Sequence, residues 1–187
     1  FRFKNNIFSV LVDFISDGHS YISPNCRSLQ IKVCDANDII PCRFTISADT
    51  MMPVESGWNL RHTETEKKII PTEISDDSLR PVSDWELLNW AITIVMNDLQ
   101  KNGNKILSFT DAPDVMPQLW FEDKGGNRCW VQVVVKKPMR IANFSGTAAE
   151  QYKGYIAEVS ITSTDGEPIL YRSHPAAVDY RGLQQVR

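Results

Sequence analysis

Residues 114–137, DVMPQLWFEDKGGNRCWVQVVVKK, decide how this chain is read. Apolar Leu119, Trp120 and Phe121 run up to Asp123-Lys-Gly-Gly-Asn127, and a second apolar run, Cys129 to Val135, leads away from it. Gly125-Gly126 supplies the positive φ that a tight reversal needs. The stretch therefore predicts two antiparallel strands, 118–122 and 128–136.

Upstream of the hairpin, Ser83-Asp-Trp-Glu86 forms a capping box, in which the serine oxygen and the glutamate carboxylate exchange hydrogen bonds with backbone N–H groups. Trp85, Leu88, Ile92, Val95 and Leu99 then recur at helical spacing, and Leu87, Trp90, Ala91, Ile94 and Met96 widen the apolar sector. Lys101 and Gly103 close the helix. So wide a sector predicts a mostly buried helix, 83–101, against a sheet. Further strands are read at 105–110, 155–163 and 168–172, and SGTAAEQYKG (145–154) offers at most a short helix. The class is α+β, with a mixed or mostly antiparallel sheet packed on this long helix.

The N-terminal half is more ambiguous. Asn5 to Asp17 places Ile7, Phe8, Leu11, Phe14 and Ile15 on one helical face, and Gly18 follows as a stop, which favours a helix. A strand through Phe8, Val10, Val12 and Phe14 is the alternative. Leu29, Ile31 and Val33 alternate with Gln30 and Lys32. After Asp35-Ala-Asn-Asp38 come Ile40, Cys42, Phe44 and Ile46, again alternating, which predicts a β-hairpin. Residues 48–82 lose all periodicity. The expected organisation is a small N-terminal module with a β-hairpin (1–50), an irregular connector (51–82) and a C-terminal module (83–187).

Apolar and charged fractions of 42% and 23% suit a soluble globular protein. A net charge of −3 argues against general affinity for nucleic acid or anionic membrane. Lys136, Lys137 and Arg140 form the best local basic patch, read as a solvated strand end. No run approaches the roughly 20 apolar residues of a membrane span, and no secretion signal is visible at the N-terminus. The expected setting is a bacterial or mobile-element cytoplasm. Cys26, Cys34 and Cys42 are evenly spaced and Cys129 stands apart, but no pair has the tight spacing of zinc ligands. Nor do His19, His62 and His174 form a helix pair, so these groups are read as reduced cysteines and isolated histidines.

The order helix, three-stranded meander, second helix and strand across 83–163, with Pro113-Asp114 and Glu122-Asp123-Lys124 inside it, resembles the restriction-endonuclease-like fold. That resemblance implies carboxylates holding magnesium or manganese, and a lysine that assists the attacking water. In one register Asp114 is the early carboxylate, and Gln132-Val133-Val134 stands where Glu-x-Lys belongs. Gln132 can still coordinate through its amide oxygen, Val134 cannot replace the lysine, and Lys136 lies about 6–7 Å further along the same face. In the other register Glu122 and Lys124 match by letter but sit at the hairpin tip, in solvent. The pattern is degenerate either way.

No nucleophile elbow, phosphate-binding loop or dinucleotide fingerprint is present. The leading expectation is therefore a non-enzymatic binding or interaction protein with a protein partner and no cofactor. The alternative is a nuclease-like domain binding or cleaving nucleic acid with magnesium or manganese through Asp114, Glu122, Lys124, Gln132 and Lys136. A second alternative is a small-molecule binder with an aromatic pocket of Trp58, Trp120 and Trp130. Arg172 and His174, in a polar C-terminal stretch, are candidates for holding a phosphate or carboxylate.

Overall fold

The computed structural model describes residues 1–112, 114–135 and 151–186. It divides into two units, Phe1–Arg80 and Pro81–Arg187. Together they are α+β, with three helices and two sheets among the described residues.

The first unit contains β1 (Arg2–Phe3), β2 (Asn6–Ser16), β3 (His19–Ser20), α1 (Pro24–Ala36), β4 (Ile40–Ser47), β5 (Leu60–His62), β6 (Lys68–Ile69) and α2 (Pro71–Ile74). Its sheet runs β1-β2-β4-β5-β6, with β3 also on β2. Two expectations are corrected here. Asn5 to Asp17 is a strand: β2 pairs in parallel with β4 from Phe8↔Ile40 to Ile15↔Ser47, and this pairing overrides the helical spacing. Asp17-Gly18, read as a helix stop, is a two-residue hairpin turn with φ of 49° and 76°, closing Ser16 onto His19.

The hairpin expected before β4 is also replaced. Its first arm is α1, which starts at a Ser23 cap accepting from Cys26 N at 3.2 Å, with proline in the first turn. Leu29 and Val33, which the alternation assigned to a buried face, are exposed, whereas Gln30 and Cys34, four residues apart, are buried. Gln30 Nε2 donates to the carbonyls of Ser9 and Cys42 at 2.9 and 3.1 Å, and its Oε1 accepts from Thr63 at 2.7 Å. A buried amide thus fastens helix to sheet where an apolar contact was expected. Residues 51–80, read as part of an irregular connector, contribute β5, β6 and α2, with β5 pairing on β4.

Asp13, fully buried on β2, is neutralised by Arg43 and Arg27 at 3.2 and 3.4 Å and accepts from Ser20 Oγ at 2.8 Å. Arg43 continues to Glu66. Such a carboxylate stays buried only because cations and a hydroxyl replace its water.

The second unit contains α3 (Asp84–Lys101), β7 (Lys105–Phe109), β8 (Leu119–Glu122), β9 (Arg128–Val135), β10 (Lys153–Ser163) and β11 (Ala176–Gln185). The capping box forms as the sequence predicts, with Ser83 and Glu86 exchanging both bonds. The sheet order is β11-β10-β9-β8-β7; only β9 and β10 pair in parallel. Leu87, Ala91, Ile92, Val95 and Leu99 of α3 pack on Leu119 and Phe121, on Cys129, Val131 and Val133, and on Ala157, Val159 and Ile161. These are alternate residues of β8, β9 and β10, so one sheet face belongs to the helix.

Residues 168–172, expected as a strand, make only a bridge from Tyr171 to Pro81. The last strand is instead β11, within a stretch that reads as polar loop. Among the described residues it is an edge strand, and a register shift opposite Ala157 to Val159 breaks its alternation. Ala176, Tyr180 and Leu183 still reach the core. The Tyr180 hydroxyl donates to Asp98 at 3.2 Å, and burial, followed by the Asp98 charge, pushes its pKa up, so it stays a donor.

Arg172, placed by the sequence in a surface loop, is almost wholly buried. Its Nε and Nη2 donate to both Glu86 oxygens at 2.9–3.1 Å, tying the segment before β11 to the start of α3. Removing one partner of such a pair strands the other charge. Arg172→Ala is therefore expected to cost about 3–5 kcal/mol of stability in denaturant titration, with Glu86→Gln/Arg172→Met recovering part of it. A loss below about 1 kcal/mol in the single variant would show that the pair contributes no more than a surface contact.

Candidate ligand-binding face

The residues of the second sheet that α3 does not take form a face of their own. In register, Trp120 of β8 stands opposite Trp130 of β9, and Trp130 opposite Gly154 of β10. The glycine is a steric requirement: a Cβ there would fall 2.1 Å from Trp130 Cζ2. Trp130 lies over the bare backbone of β10 and is buried. Trp120 stays half-buried and meets Tyr152, just before β10, edge to face, with centroids 5.5 Å apart at 87°.

Beside this aromatic row lies an open groove of about 440 Å³, lined by Leu107, Ser108, Trp120, Arg128 and Tyr152. Leu107 and Ser108 are consecutive, and in a regular strand they would point to opposite faces. A register shift between Ile106 and Ser108 lets both line the groove. Bulges commonly re-aim side chains beside functional sites. Two residues further along, and so on the same face as Trp120 and Trp130, Lys105, Glu122 and Arg128 form a charged row across β7, β8 and β9.

Among the described residues Trp120 is thus the one sequence candidate in the groove; Trp130 is its cross-strand neighbour. Trp58 belongs to the first unit, where it packs against Phe1 and Phe3 at 6.2 and 6.3 Å. Arg128, Tyr152, Leu107 and Ser108 were missed. Counting back from the glycine turn pairs Glu122 with Arg128 and Trp120 with Trp130, so Arg128 was recoverable. Tyr152 carried no signal, since it lies in a stretch read as helix or loop.

The described nuclease candidates sit on different elements. Asp114 is exposed in the loop before β8, whereas Glu122 ends that strand, beside the turn. Lys124 is exposed, its stem lying along Gly103. Gln132 is buried on β9, its Nε2 3.4 Å from Met116 Sδ. Pro113, Lys136, Lys137 and Arg140 lie outside the described residues, as does most of the expected 145–154 helix. Gln118, just before β8, accepts from Val133 N at 2.9 Å and so extends the β8–β9 ladder with a side chain.

Asp123, between Glu122 and Lys124, is committed to the turn. Its Oδ1 accepts from the Gly125 and Asn127 backbones at 2.9 Å and from the Asn127 side chain. The Asn127 bonds above all hold its carboxyl below the usual range. Only Gly126 of the glycine pair uses positive φ, at 78°. His174 rests on the Tyr171 ring, with centroids 5.3 Å apart.

A family model described as a domain of unknown function, DUF8840, matches residues 85–186, more than half of the chain. The chain belongs to the DUF8840 family. No curated protein and no solved structure matches it. The DUF8840 span begins in the first turn of α3 and ends just past β11, so it contains the entire second sheet and the whole groove.

Within the DUF8840 span, Cys129 faces α3, and burial raises its thiol pKa. Outside the span, burial pushes Cys42 up to about 12, with neighbouring Cys34 adding to the shift, and burial raises Cys34 as well. Thiols held neutral in this way are poor nucleophiles and poor metal ligands. Cys26 is exposed. Among the described residues no group of three or more His, Cys, Asp or Glu side chains is placed to hold a metal, and no helix is long and apolar enough to cross a membrane.

Proposed function

We propose that the DUF8840 region is a non-catalytic binding domain whose ligand presents a planar group to the groove among Leu107, Ser108, Trp120, Arg128 and Tyr152. The observation that carries this reading is the β7 bulge, which brings two successive residues to one groove beside a paired Trp and Tyr. The volume falls within the range of ordinary small-molecule sites, and the lining mixes aromatic surface with a hydroxyl and one guanidinium. Ser108, Arg128 and Tyr152 can orient a ligand. Among the described residues that line the groove there is no histidine or carboxylate to act as general base for Ser108. A library of planar heteroaromatic fragments, screened by ligand-observed NMR, is expected to yield binders that Trp120→Ala weakens about tenfold or more. Hits indifferent to that substitution would refute the groove as their site.

We also propose, as a second reading, that the first unit holds a protein partner through the loop between β4 and β5. Met51, Met52, Val54 and Trp58 all lie exposed within eight residues of sequence there. Methionine and tryptophan side chains at such density suit an adaptable apolar contact. Replacing Met51 and Met52 with serine is expected to abolish co-purification of a stoichiometric partner while leaving thermal unfolding unchanged. A partner that still co-purifies with the double variant would exclude this loop.

A further inference from the structure

We infer that the groove's ligand is a nucleoside phosphate, with its base against Trp120 and its phosphate toward Arg128. This rests on the reading of the groove as a ligand site and names the chemical class it takes. Three features combine. The Trp120–Tyr152 pair offers a π surface, on which a heteroaromatic base stacks with little regard to its identity.

The row beside it places Lys105 and Arg128 on either side of Glu122, two cations around one carboxylate, so the local balance is positive although the chain carries −3. Arg128 is exposed, lines the groove and can meet an anion with two parallel N–H groups. Finally, β7 is an edge strand that pairs only with β8 among the described residues. Among those residues no strand takes the other side of its backbone, and Ser108 adds a hydroxyl beside the groove. Those groups can meet the sugar hydroxyls or the edge of the base.

A plain aromatic anion would satisfy the first two features and leave the third unused. The charged row is short, so it suits one phosphate rather than a tracked polyanion. The same unit can arrive as a free mononucleotide or as the end of a single strand.

Calorimetric titration of the full chain would compare adenosine 5′-monophosphate and uridine 5′-monophosphate, the matching nucleosides, and a short single-stranded oligonucleotide. The nucleotides are expected to bind at least about tenfold more tightly than the nucleosides. Arg128→Ala should erase that difference, and Trp120→Ala should weaken both. Equal affinity for mononucleotide and oligonucleotide assigns the free nucleotide as the source. Binding of the oligonucleotide alone assigns the strand end. If neither phosphate-bearing probe binds while planar fragments still do, the nucleoside phosphate is overturned and the groove stands. If no planar probe binds, both fall.

Discussion

The second unit is governed by one division of labour. Alternate residues of β8, β9 and β10 are surrendered to α3, so the intervening ones must form a second face without a helix of their own among the described residues. What makes that face viable is the contact of Trp130 with Gly154. An indole laid on a strand with no Cβ fills the space a side chain would take and buries an aromatic group away from the core. Trp120, its cross-strand neighbour, then has a firm flank, and the groove is built from it.

How far the sequence discloses this depends on where the information resides. The capping box, the long helix and the strands β7 to β10 are written locally, in a Ser-x-x-Glu pair, in a 3.6-residue period and in clean alternation around a glycine turn. Asn6–Ser16 is different. Its residues satisfy both periods, and only the parallel partner β4, some thirty residues away in sequence, decides for strand. α1 was misread because its buried stripe is Gln30 and Cys34, while its aliphatic residues Leu29 and Val33 face solvent. A reading that seeks apolar faces follows the wrong residues there. β11 hides behind an irregular register and a largely exposed, polar surface.

The site was half legible for the same reason. Tryptophan draws attention by its size, and Trp120 was singled out. The bulge that turns Leu107 and Ser108 to one side is a backbone event with no residue signature, and Tyr152 enters only through the parallel docking of β10. The acidic and basic letters at the hairpin, which suggest hydrolytic chemistry, also have places in the local structure. Asp123 ties the turn, Glu122 sits within a row of cations, and Asp114 lies exposed in the loop before β8. Glu86 likewise serves structure twice, as helix cap and as counter-ion to Arg172.

The central claim is that ligand arrives on the face opposite α3. The most direct measurement is the indole N–H correlation spectrum of the five tryptophans during titration with a nucleoside monophosphate. The Trp120 signal is expected to move furthest and Trp130 less, with Trp58, Trp85 and Trp90 fixed. Movement at Trp58 or Trp90 with Trp120 unchanged, or a spectrum that does not move at all, would contradict it.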